Sequence, residues 1–424
     1  MSSLNFHLTH SHQAYGRAKA EFNFFSAVWG ITRKMAEINY NDYAILWGAV
    51  GVFMTKYAPE RFSGEITHSL LFFFFYNFVS TVIDLPLSYY HHFVMEEKFG
   101  FNKMTRKLWV MDKIKGQLLT IAFGTPVGAG VLAIIRYTGD SFFYWVWAFM
   151  FGVQLLAVTI YPIVIVPLFN KLTPLEDGPL KKAIDGLAGR LKFPLSELQV
   201  IDGSKRSSHS NAYFTGLPWK KKIVLFDTLI EQQSKEEVVA VLAHELGHWQ
   251  LGHTTKLIAI NSVHLFFIFS LFSAFVHNRQ MFAEFGFEKQ MPVIIGFFLF
   301  SEVLTPSECF LQFGMNSVTR KFEYQAGLYS PSRLPKSPVT NAFLDAFALQ
   351  MGYKVELAQS LIKLQIKNLS SMDADHLYSS YHYSHPILPE RLRALGWDGS
   401  EKVPETVPAK AAEGVAEKAS GREL

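Results

Sequence analysis

Two imidazoles and a carboxylate stand close together in VVAVLAHELGHWQLGH, residues 238–253: His244, Glu245 and His248. Ser234 with Glu237 three residues later has the form of a capping box, so the spacing predicts a helix that starts there and runs through His248. Residues four apart share a helix face, which lets both rings reach one tetrahedral zinc ion. Glu245 sits one residue round. It is placed to take a proton from the water that attacks a peptide carbonyl, without ligating the metal. This is the chemistry of H-E-x-x-H metalloproteases. His253, five residues past His248, points to a different face of such a helix and reads as a surface or interfacial histidine. A catalytic zinc keeps three protein ligands and one open position, so a third ligand must come from elsewhere. Glu302, Glu308 and Glu323 are all available. The first two lie within or beside an apolar segment, where carboxylates are expensive and often functional.

The chain that must position these residues is built for lipid. It is 49% apolar, 15% aromatic and only 18% charged. Uncharged runs lie between Glu65 and Asp84, Lys115 and Arg136, Asp140 and Lys171, and Lys256 and Arg279, with weaker candidates at 43–57 and 291–312. A hydrocarbon core of about 30 Å is crossed by roughly 20 helical residues, so about six membrane helices are expected. The opening residues are polar and contain no apolar signal-peptide core. A net charge of +4 is too mild to imply nucleic acid. Basic clusters at 181–182 and 220–222 mark a cytosolic side instead. The single cysteine, Cys309, excludes an internal disulfide and reads as a small hydrophobe in its apolar segment.

Six regions follow: a polar N-terminal segment (1–40), membrane helices (41–171), a soluble unit with the histidine helix (172–256), further membrane helices (257–312), a C-terminal catalytic segment (313–397), and a tail (398–424) too poor in large apolar groups to order. In the soluble unit LQVID at 198–202 and KIVLFD at 222–227 read as strands, separated by a loop, a short strand and a turn.

The blocks DLPLSYYHHFVMEEKFGFNK, PLFNKLTPLEDGPLK, VIDGSKRSSHSNAYFTGLP, KIVLFDTL, AVLAHELGHWQLGH and SSYHYSHPILPERLRAL together resemble the type I CaaX prenyl proteases. The resemblance implies a mainly α, multi-pass membrane protein: a helical barrel around an internal chamber, with an inserted zincin-like unit containing a small β-sheet. It implies one Zn²⁺ per chain, residence in the endoplasmic reticulum membrane, and removal of the last three residues from isoprenylated Cys-a-a-X proteins. It makes His244, His248 and Glu323 the metal ligands and Glu245 the general base. Asn211 and Ala212 resemble the edge strand along which zincin substrates lie extended. His385 is placed to donate to the oxyanion, and Arg391 to hold a carboxylate ligand or neighbour.

Two departures from the resemblance stand out. Family members begin with another membrane helix before the region matching YGRAKAEF, so this chain is expected to carry six of seven. Family members also read E-Y-Q-A-D, whereas here Gly327 follows Ala326 and residues 327–344, with three prolines, intervene before Asp345. Prolines cannot continue a helix, so Asp345 would no longer orient His244 from one turn after Glu323. An unspliced, translated short intron is the expectation, with an evolved loop as its alternative. Two other functions remain open at the level of sequence: a quality-control metalloprotease for unfolded or stalled membrane proteins, and a non-catalytic membrane protein with structural zinc.

Overall fold

Each of the six apolar runs forms a helix in the computed structural model, which describes residues 3–217, 219–325, 351–370 and 374–397. The unusual segment 327–344, Asp345 and the tail fall outside those residues. A further helix, Ser3–Asn39, occupies the polar N-terminal segment. Helical stretches at Glu65–Glu96, Arg106–Phe169, His253–Phe275 and Val293–Glu323 are long and apolar enough to cross a bilayer. The second, 64 residues long, would reach about 95 Å if straight, three times a bilayer core. It folds back at Gly139–Ser141 into two crossings, Arg106–Thr138 and Phe142–Ile160. Asp42–Tyr57, the candidate that the sequence marked as weak, is a helix of 16 residues, shorter than the roughly 20 that cross a bilayer core.

These helices turn their apolar side chains outward. Only 6% of the most apolar window of Glu65–Glu96 is buried in protein, and Leu118, Trp145, Ile163 and Phe310 stand exposed. In water that surface would be untenable; against lipid tails it needs no partner. Inside, contact is close. A Cβ at Gly130 would meet the Phe149 ring at 2.6 Å, so only glycine lets the two crossings of the hairpin approach this far.

One carboxylate inside the helical part is well paired. Glu302 accepts from Lys34 Nζ at 2.5 Å and from Tyr43 Oη at 2.8 Å, linking Ser3–Asn39, Asp42–Tyr57 and Val293–Gln325. The cost of a membrane carboxylate is thereby offset by a cation and a hydroxyl. Glu302 is thus not at the histidine helix. Glu308 is exposed, and so is Cys309, against the expectation of a packed hydrophobe; the helix carries both outward on a turn that also contains Pro306.

The aqueous unit is a four-stranded sheet with helices on it. β1 (Leu172–Pro174), β2 (Leu195–Ile201), β3 (Ala212–Leu217) and β4 (Lys220–Phe226) lie in the order β1-β2-β4-β3, with β2 and β4 parallel and both outer pairs antiparallel. The runs read as strands are β2 and β4, and the short strand read between them is β3; β1, only three residues long, carried no period to read. One apolar core joins Ile184 and Leu187 of helix Pro179–Leu191, Ile223 and Leu225 of β4, and Val238, Leu242 and Leu246 of helix Lys235–Gln250. Leu357, Ala358 and Leu361 of helix Lys354–Lys367 complete the same core from the far end of the chain.

Candidate metal centre

The helix Lys235–Gln250 starts as its sequence requires. Ser234 N–H donates to Glu237 Oε2 at 2.7 Å and Glu237 N–H to Ser234 Oγ at 3.3 Å, and Lys363 Nζ closes on Glu237 Oε1 at 2.6 Å. With its first turn fixed and its apolar face in the core, the helix holds His244 and His248 rigidly. Val293–Gln325 runs 33 residues, about 50 Å, which exceeds the bilayer core and carries its last turns to that helix.

There Glu323 meets both imidazoles. Its Oε2 lies 3.4 Å from His244 Nε2 and its Oε1 3.4 Å from His248 Nε2. One ligand atom from each of the three residues falls within 4.8 Å of the others. His244 and Glu323 are 5% and 6% exposed, and Glu323 Oε2 is buried with no hydrogen-bond partner. Two nitrogens and a carboxylate oxygen converging at this spacing, with one buried oxygen left over, match the donor set and size that a tetrahedral Zn²⁺ takes. Of the three carboxylates that the sequence left open, Glu323 is the one brought to the histidines.

Glu245 lines the adjoining cavity of about 420 Å³. Burial raises its carboxyl above the ordinary value, with the Glu323 charge adding to the effect, while His248, His385 and Arg391 pull the other way. His385 lines the same cavity, with Nδ1 2.8 Å from Glu323 Oε1. That carboxylate holds the imidazole above its ordinary pKa, favouring the form with two N–H donors.

Arg391 lies on helix Leu388–Ala394, with Nη2 3.5 Å from His244 Nδ1. It faces the His244 imidazole, where the resemblance implied a carboxylate ligand or neighbour. Asp345 lies outside the described residues.

His253 differs from its expectation. It is 2% exposed, not at the surface. Helix Lys235–Gln250 ends before it, and Gly252, at φ 66°, reverses the chain into helix His253–Phe275. His253 therefore turns back on the metal helix. Its Nδ1 is 3.0 Å from His248 Nδ1, and its ring stacks on Phe322 at 4.5 Å. The face argument assumed one continuous helix; the glycine one residue before His253 was the signal that it stops.

Two further residues had no sequence signal. Arg320, 5% exposed and one turn before Glu323, donates to Ser379 Oγ at 2.9 Å, to the His385 carbonyl at 3.2 Å and to Glu390 Oε2 at 2.7 Å. It ties the segment bearing His385 and Arg391 to the helix bearing Glu323. Asn316 on the same helix donates to the Tyr381 carbonyl.

β3 is an edge of the sheet, and Ala212 is its first residue. The Asn211 carbonyl accepts from Phe226 N–H at 3.1 Å, so by alternation the backbone groups of Ala212, Phe214 and Gly216 face the open side. Asn211 Oδ1 accepts the Ala212 N–H at 2.8 Å. Tyr213 to Gly216 line the Glu245 cavity, whereas Asn211 borders a separate cavity against the membrane helices. Gly216, at φ +100°, makes the hairpin possible: a Cβ there would meet the Lys220 carbonyl at 2.4 Å.

The chain resembles known proteins over nearly its whole length. Residues 4–171 match the family described as CAAX prenyl protease N-terminal, five membrane helices, and residues 174–397 match peptidase family M48. It is 46% identical over 410 residues to CAAX prenyl protease 1 of Saccharomyces cerevisiae, covering 93% of this chain and 86% of the relative. It is 42% identical over 393 residues to the Arabidopsis thaliana homolog of CAAX prenyl protease 1, covering 92% and 87%, and 38% identical over 421 residues to the Homo sapiens homolog, covering 90% and 84%. The crystal structure of S. mikatae Ste24p superposes with a TM-score of 0.83 at 47% identity, covering 92% of this chain and 88% of that one.

Proposed function

The chain belongs to peptidase family M48, and from that premise we infer that it is a zinc-dependent membrane endoprotease that removes the last three residues of isoprenylated Cys-a-a-X proteins. The observation that carries the chemistry is the convergence of His244, His248 and Glu323 beside a half-buried Glu245. Zinc held by those three residues would polarise the scissile carbonyl and make a water acidic enough to attack at neutral pH.

The protein's own groups do the rest. Glu245 takes the proton of the attacking water and returns it to the leaving amine. His385, held beside Glu323, offers an N–H to the oxygen on which negative charge develops. His253 accepts from the outer nitrogen of His248 and so fixes the direction of that ring, while the Arg391 guanidinium packs beside the His244 ring. The open edge of β3 pairs with an extended substrate through the backbone of Ala212, Phe214 and Gly216, with Asn211 bracing the strand at its start. The relatives' printed names support a prenylated substrate for this chain, and the apolar wall of the Glu245 cavity, Val158, Leu257 and Phe322, suits an isoprenoid. The endoplasmic reticulum membrane is the proposed location.

The test is chelator-sensitive release of a tripeptide from a farnesylated peptide by the purified full chain. Equal cleavage of the unprenylated peptide would favour quality control of unfolded chains instead. No cleavage by zinc-loaded, folded protein would sink the reading.

A further inference from the structure

Two cavities meet at Ser384 and His385. One, of about 420 Å³, lies toward Thr215 and Gly216 of β3 and is walled by Val158, Leu257 and Phe322. The other, of about 660 Å³, lies toward His209, three residues before β3, and takes in Lys19 and Asn23 of the N-terminal helix together with Arg391. An extended peptide crossing the catalytic groups along β3 puts one end in each cavity.

We propose that the cavity at the His209 end receives the three residues that are released, with Lys19 as the partner of their terminal carboxylate; this rests on the prenyl-protease reading above. The two ends of such a substrate differ in chemistry. Upstream of the scissile bond is a thioether-linked isoprenoid, which gains by leaving water for an apolar wall. Downstream, the last residue carries a full negative charge, which needs a cation or hydrogen-bond donors if it is drawn into a cavity. Only one orientation satisfies both: the substrate runs from the Gly216 end to the His209 end, antiparallel to β3. Three extended residues span about 10 Å, and a cavity of this size lies in the ordinary range for a ligand of that bulk.

Lys19 is the cation suited to the task. It is exposed, lies 5.4 Å over the Tyr15 ring, and makes no ion pair with an acid among the described residues. Arg391 is turned to His244, at the catalytic end of the same cavity. Glu96, the acid that Tyr15 bonds, is 9% exposed and accepts from Tyr15 Oη at 2.8 Å, and it does not line the cavity.

The experiment compares two farnesylated peptides of one sequence, one ending in a free carboxylate and one in a carboxamide, with zinc-loaded full chain in detergent. Wild type is expected to cleave the acid with kcat/KM about tenfold above the amide. Lys19→Gln should abolish that preference by raising KM for the acid about tenfold while leaving the amide unchanged, and Lys19→Arg should restore it. The free tripeptide should inhibit wild type more strongly than Lys19→Gln. Equal rates on both peptides by wild type would refute the carboxylate subsite while leaving the protease intact. A Lys19→Gln variant that slows both peptides alike would also refute it. Wild type that cleaves neither prenylated peptide removes the reading on which the subsite rests.

Discussion

His253 gives the sharpest test of how the metal centre is built. If His248 binds zinc through Nε2, its Nδ1 carries the proton and donates it to His253 Nδ1, 3.0 Å away. The acceptor is buried, and Phe322 stacked at 4.5 Å fixes its ring plane. Removing an outer partner of a ligand histidine costs 10- to 100-fold in metal affinity, about 1.4 to 2.7 kcal/mol. His253→Phe is the informative change, because it keeps an aromatic ring against Phe322 and deletes only the acceptor. Zinc affinity, measured by competition with a chromophoric chelator in detergent, should fall about 10- to 100-fold, while the melting temperature of the metal-free protein moves little. His253→Ala should add a packing loss of about 2 kcal/mol in the metal-free protein, which separates the two roles. A folded His253→Phe protein with wild-type zinc affinity would refute the argument that this ring aims His248.

The remaining expectations are simpler. Glu245→Gln should lower kcat by about 10²- to 10⁴-fold while zinc content by elemental analysis stays at one per chain. Glu323→Gln should instead lose zinc itself, and a chelator should end turnover of the wild type until zinc is restored. Glu302→Ala leaves the Lys34 ammonium and the Tyr43 hydroxyl without their shared acceptor, and should destabilise the detergent-solubilised protein by about 2 kcal/mol with zinc affinity unchanged. Gly216→Ala forces a Cβ against the Lys220 carbonyl and should cost about 1–3 kcal/mol, seen as a lower melting temperature and a raised KM for extended peptides.

How much of this was visible in the residues depended on range. The capping box, the shared face of His244 and His248, and the apolar runs are local patterns: each run forms a helix, and all but the short one at 43–57 are long and apolar enough to cross a bilayer. The choice of Glu323 over Glu302 and Glu308 is a tertiary matter: all three sit on one helix, and what separates them is how far along it the metal helix crosses. Resemblance named Glu323 where physics alone could not. Arg320 was invisible because its work is done between segments about sixty residues apart, and β1 because three residues carry no alternation. His253 was misread through a geometric premise, a helix extended across Gly252, that the glycine's left-handed backbone voids.

Helix Val293–Gln325 is pinned by Lys34 at Glu302 and delivers Glu323 about 30 Å further on. On the proposed reading, the third grip on the metal is the tip of a strut rooted among lipid-facing aromatics. Any attempt to trim this peptidase down to a water-soluble fragment would saw off a limb of its own metal clasp. Bilayer and hydrolysis are tied by a single rod, and a protease of this design cannot be released from its membrane and still cut.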